Sequence, residues 1–292
     1  MSGQIPTSWR FEKLSTQRAE LGESPFWSAA GDCVWWVDIT GRQLLRTDAV
    51  SGQTRSWATP EEIGFVVLAE DGSVIAGMES GLFLFEPATG AFELICRLSE
   101  PGVRFNDAAV DSAGCLWAAT MDIDNLKPLG VLYRIDPDLS VQIVETGLRT
   151  ANGLAVDGER GRVYYSDSHT AVQTIWMAGI DMAAGVVGEK RIFAEMHELA
   201  GRPDGAAIDA EGNYWIAAVG GAALYAFSPD GEKISEVVTP MENPTKIAFG
   251  GSDRCSVFLS SKMDGEGGMG GFLFQASPGV KGRPVASFGR RF

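Results

Sequence analysis

Glu23 in GESPFW, Asn106 in RFNDAAVD, Asn152 in ANGLAVD and Asp204 in RPDGAAID each open a short apolar run. After the last three, an Asp follows five residues on, then a turn and an aromatic-rich strand pattern. Glu23, Asn152 and Asp204 offer two carboxylates and an amide oxygen. Such hard donors suit Ca²⁺, Mg²⁺ or Mn²⁺, and Zn²⁺ also accepts oxygen ligands, so the set implies one divalent cation without naming it. Three protein ligands leave positions open for water and substrate, as catalysis needs. Taken singly, each residue also fits an Asx-turn ahead of a strand. Four at one register favour a shared site. Asp111, Asp157 and Asp209 repeat too, but at the turn into the following strand, and read as structural. Arg104, two residues before Asn106, reads either as a surface arginine or as a clamp for an oxygen-rich or anionic substrate, with the clamp favoured.

Other chemistries find less support. The chain has 2 histidines, His169 and His197, and neither lies near the register, which argues against a His-ligated metal or a His base. No GxSxG elbow is present for a Ser-His-Asp hydrolase. The segment GEGGMGG (265–271) lacks the strand-to-helix setting of a phosphate loop and reads as a flexible surface loop.

The elements that position these residues follow from an internal repeat. Aligning the tight turns DSAGCLW, DAEGNYW and AEDGSVIAG puts Glu23, Gly64, Asn106, Asn152, Asp204 and Thr245 in register, at intervals of 41, 42, 46, 52 and 41 residues. Units of this size with about four short strands are what a β-propeller blade requires. The alternating LLRTD and LYRID patterns suit strands, and helical periodicity is nearly missing; HELAGR (197–202) is at most one turn of helix. The reading is an all-β, six-bladed β-propeller occupying residues 1–292 as a single domain. A strand around Trp9–Leu14 is expected to close the last blade beside GRPVASF (282–288). A pair of β-sandwiches is the weaker alternative.

Composition bounds the rest. A 45% apolar content over 292 residues supports a substantial core. The net charge of −14 argues against nucleic acid or an anionic membrane as a partner. No apolar run is long enough to span a membrane and no secretory signal is evident, so a cytoplasmic protein is expected, with Cys33, Cys96, Cys115 and Cys255 as free thiols. A monomer or loose dimer is the expected assembly.

The stretches LGESPFW, RFNDAAVDSAGCLWAATM, ANGLAVD, YYSDS, RPDGAAIDAEGNYWIA, PTKIAFGG and GVKGRPV, in that order from about residue 18 to 285, resemble the senescence marker protein/gluconolactonase/luciferin-regenerating-enzyme-like family, also called regucalcin-like. The resemblance implies a six-bladed propeller with one divalent cation at the channel mouth. It implies Glu23, Asn152 and Asp204 as ligands, with Arg104 and Asn106 contacting substrate hydroxyls and the lactone. Asp124 aligns with an acidic substrate-contacting position in a loop of variable length. Two departures bear on the substrate: AAVGGAAL is small and apolar where aromatic residues are common in the family, and Lys246 stands where a small residue is common.

The implied activity is hydrolysis of a sugar lactone to its aldonic acid, in carbohydrate catabolism. The cation would polarise the carbonyl and Asp204 would take a proton from the attacking water; a metal-bound hydroxide is the alternative nucleophile. The competing functions are a metal-dependent esterase or phosphotriesterase, and a non-catalytic calcium-binding propeller.

Overall fold

The computed structural model describes residues 8–98, 100–182, 184–265 and 267–292. Among them the chain forms 24 strands and one 3-10 turn, Ala29–Gly31. Six strands begin the successive repeats: Gly22–Ser28, Ile63–Leu68, Val103–Val110, Ala151–Asp157, Arg202–Ile208 and Pro244–Gly250. Each pairs antiparallel with the strand after it, and the chain then meanders outward. Four of the sheets have four strands; the fifth has eight, its halves meeting through the parallel pair Gly205–Lys246. The six first strands touch in chain order, and Pro244–Gly250 returns to touch Gly22–Ser28. They therefore surround a common axis.

Burial explains why these strands lie innermost. IGFVVL is buried along its whole length, whereas the outer strand Thr54–Ala58 has no buried residue. A strand with apolar side chains on both faces must be covered on both, and here neighbouring sheets do the covering. Apolar clusters fill each gap between consecutive sheets. Trp117 and Leu132 meet Leu154 and Tyr165; Tyr164 and Ile175 meet Ile208 and Tyr214; Trp27 and Trp36 meet Phe258 and Leu273.

The repeated turn aspartates are structural, as read from the sequence. Asp111 accepts N–H bonds from Ala113 and Cys115, both at 2.9 Å, and from Trp117 Nε1 at 2.9 Å. Asp209 repeats the device with Glu211, Asn213 and Trp215 Nε1. Each carboxylate thus closes a hairpin and pins a buried indole. Removing it strands buried donors, so Asp209→Ala is expected to cost about 3 kcal/mol in denaturant unfolding with the slope unchanged. Asp157 does related work: it accepts from Arg160 and pairs with Arg283 at 3.0 Å.

The chain ends differ in detail from expectation. Glu12–Lys13 does add to the last sheet, but it pairs with Phe274–Ala276 rather than with 282–288. Pro284 lacks the N–H a ladder needs. The 281–289 segment instead crosses the ends of the sheets opposite Glu23, bonding Ala210, Arg254, Leu68 and Gly114 in turn. HELAGR forms a turn and no helix. All four cysteines are free. Among the described residues no helix is long and apolar enough to cross a membrane.

Candidate metal centre

Every first strand carries a register shift at its repeat position. The shifts fall between Glu23 and Phe26, Ile63 and Phe65, Phe105 and Asp107, Asn152 and Ala155, Pro203 and Ala206, and Pro244 and Ile247. A bulge breaks the in-out alternation of a strand and re-aims one side chain. Repeated around the ring, it gathers polar side chains at one level of the channel. The backbone at these bulges is unusual: Ser24 sits at φ 51° and Gly153 at φ 66°. A Cβ at Gly153 would lie 2.5 Å from the Tyr214 hydroxyl, so only glycine fits there.

Glu23, Asn152 and Asp204 are all buried, each at the bulge of its first strand. Glu23 and Asp204 are hydrogen-bonded to each other. Glu23 Oε2 also accepts the Ser24 N–H at 2.6 Å. Burial, then the charge of Asp107, pushes the Glu23 carboxyl up to about 8, against the opposing pull of Lys246 and the Ser24 N–H. Burial and the charge of Glu23 push Asp204 well above the usual carboxylate range. Two carboxyls this close hold a proton between them unless a cation compensates both. Asn152 Nδ2 donates to Ser168 Oγ at 2.8 Å, and Ser168 in turn donates to the carbonyl of Pro203, beside Asp204.

Arg104 and Asn106 join the same cluster. Asn106 Nδ2 donates to Asn152 Oδ1 at 2.9 Å and to the Ala151 carbonyl at 2.8 Å. Arg104 Nη1 donates to Asn106 Oδ1 at 2.6 Å, and its Nε lies 3.2 Å from Glu62 Oε2. Burial pulls the Arg104 guanidinium below its ordinary value, and the nearby charges of Glu62, Glu23 and Asp204 oppose this. Asp124 is exposed on the connection after Leu116–Asp122, at the level of Val103–Arg104, and stands apart from the buried cluster. His197 is exposed, and His169 lies on the connection after Asp167 with its Nδ1 accepting the Ala171 N–H.

The sequence reading missed several supports. Asp38 accepts N–H bonds from Glu20 and Leu21 at 2.9 and 3.0 Å, just before Glu23. Asp167 does the same for Arg149 and Thr150, just before Asn152. The signal was available, since VD at 37–38 and SD at 166–167 end equivalent strands. Glu62 as partner of Arg104 left no local signal. Within GEGGMGG (265–271), residue 266 lies outside the described residues; beside it, Arg18 donates to the carbonyls of Asp264 and Gly270, at 3.1 and 2.8 Å.

The donor set fits a hard cation. Two buried carboxyls that otherwise share a proton, and a buried amide oxygen at the same register of a neighbouring strand, are hard oxygen donors. Among the described residues no group of three or more His, Cys, Asp or Glu could hold a metal, so any ion here relies on Asn152 as well. Without a cation, Glu23 binds its proton more tightly folded than unfolded. That contribution is complete below about pH 4.5 and is lost as pH rises through about 8. The chelated protein should therefore melt at falling temperature between about pH 5 and pH 8, and a bound cation should reverse the trend. Scanning calorimetry with and without chelator across that range checks this; a flat chelated profile would contradict it.

Comparison with known proteins agrees with the fold. The chain is 34% identical over 254 residues to the 6-deoxy-6-sulfogluconolactonase of Pseudomonas putida, covering 85% of each chain. It is 31% identical over 275 residues to pentonolactonase XacC of Haloferax volcanii, covering 90% of this chain and 93% of the other. The crystal structure of a calcium-binding protein, regucalcin, from Agrobacterium tumefaciens superimposes with a TM-score of 0.90 at 25% identity, over 98% of both chains. A family model described as the SMP-30/Gluconolactonase/LRE-like region matches residues 21–263, and the chain belongs to that family.

Proposed function

We propose that this chain is a divalent-cation-dependent sugar lactonase, built as one six-bladed propeller over residues 1–292. The observation that carries the reading is the buried Glu23–Asp204 pair beside Asn152, with Arg104 and Asn106 bonded into the same cluster. Blade count follows from treating the Gly205–Lys246 pair as the seam between two four-stranded blades. Pairing of Glu12–Lys13 with Phe274–Ala276 is then the closure between the chain ends. The choice of substrate class rests on relatives named 6-deoxy-6-sulfogluconolactonase, pentonolactonase and L-arabinolactonase.

Lactone hydrolysis needs an activated carbonyl, a deprotonated water and a fixed ring. Glu23, Asn152 and Asp204 would hold the cation. When bound, it supplies Lewis-acid polarisation of the lactone carbonyl. Asp204 accepts the proton of the attacking water. Asn106 holds the Asn152 oxygen in place, and Arg104, fixed by Glu62 and Asn106, orients the sugar through its hydroxyls. Asp124 contacts substrate from the neighbouring connection.

Initial-rate assays on an aldonolactone panel and on aryl esters test the assignment. Lactones should be preferred in kcat/KM by at least about tenfold. A preference for aryl esters would replace this reading with an esterase.

A further inference from the structure

Lys246 leaves the Pro244–Gly250 strand toward the axis. Its Nζ pairs with Asp107 and donates to the Ala108 carbonyl at 2.8 Å. Asp107 lies on Val103–Val110, three places away in the cycle of six first strands, so the ion pair crosses the channel. The lysine stem passes over Gly205, where a Cβ would fall 2.4 Å from Lys246 Cβ and Cγ. Glycine beside Asp204 is therefore what lets the lysine through. Asp107 is held on both oxygens, accepting the N–H groups of Ala108 and Leu154, each at 2.8 Å. Both side chains of the pair are almost wholly buried, at 8% and 2% exposure. On its far side Lys246 lines an apolar cavity with Phe26, Leu154 and Ile247, roofed by Pro284.

A buried lysine without a partner is costly, and so is a third carboxylate beside Glu23 and Asp204. Together they form a strut that closes the channel beneath the candidate centre and fixes its charge. We propose that the Lys246–Asp107 pair is a positioning device that tunes the centre to divalent ions. As an ion pair, Asp107 and Lys246 add one negative and one positive charge and leave the net charge around Glu23, Asp204 and the Arg104–Glu62 pair unchanged. Loss of either partner shifts that net charge by one, and a trivalent ion responds to the shift more strongly than a divalent one. Asp107 directly follows Asn106, and the Lys246 stem lies against Gly205, next to Asp204, so the pair adjoins the centre. This inference rests on the metal reading of the centre.

The test is direct ion binding, read by calorimetry for Ca²⁺ and by luminescence for Tb³⁺, independent of turnover. Four proteins are compared: wild type, Lys246→Met, Asp107→Asn and the double variant, each checked for folding by its melting temperature. Lys246→Met adds a net negative charge, which attracts a trivalent ion more than a divalent one, so the Tb³⁺-to-Ca²⁺ affinity ratio should rise at least about tenfold. Asp107→Asn should lower the ratio by a similar factor, and the neutral double variant should return close to wild type. If Lys246→Met does not fold, Asp107→Asn and the double variant still decide the matter. Ratios unchanged in the folded variants, with Ca²⁺ still bound, would overturn the charge role and leave the cation reading standing. Failure of wild type to bind any ion would overturn both.

Discussion

Asp204→Ala, assayed at saturating cation, is expected to lose at least about a hundredfold in lactone turnover, the scale of a lost general base. The residue carries two roles in this account, so the choice of variant matters. Asp204→Asn keeps an oxygen donor and the shape of the side chain but cannot accept the proton. It should retain ion binding better than Asp204→Ala while remaining nearly as slow. Near-wild-type turnover in metal-replete Asp204→Ala would remove Asp204 from the mechanism.

Glu23→Ala should act on the ion rather than on the chemistry. Its loss takes one of two carboxylates from the cluster and relieves the repulsion on Asp204, so cation affinity should fall by about a hundredfold or more, and turnover should recover in part as cation is added. Glu23→Ala should also weaken the dependence of metal-free stability on pH without removing it, because Asp204, raised first by burial, still contributes. Titrating cation into both variants separates the roles. Recovery in Glu23→Ala and none in Asp204→Asn is the expected pattern. Unchanged cation affinity in Glu23→Ala would take it out of the ligand set.

Much of this arrangement was legible because the repeat is local and regular. One bulge per first strand at the register position means that aligning DSAGCLW with DAEGNYW already brings Asn106 and Asp204 to one level. Asp111 and Asp209 were legible for the same reason, since their partners lie within six residues. What escaped depends on pairings across the ring. Lys246 meets Asp107, 139 residues away, over a glycine whose role appears only when the strands are side by side. Arg18 bonds the carbonyl of Gly270 from 252 residues away, a contact that composition does not show. The 282–288 segment was expected in a sheet, and Pro284 together with the pull of Asp157 on Arg283 draws it across the channel end instead. Periodicity reports what a repeat does to itself, and these contacts break the repeat.

The most direct test of the central claim is lactone hydrolysis followed by acid release in chelator-stripped protein, before and after adding Ca²⁺, Mg²⁺, Mn²⁺ or Zn²⁺ one at a time. The account predicts a rate near the spontaneous one without cation and restored turnover of a sugar lactone with at least one of the four. Full turnover in the stripped protein, or none with any ion despite measurable binding, would contradict it.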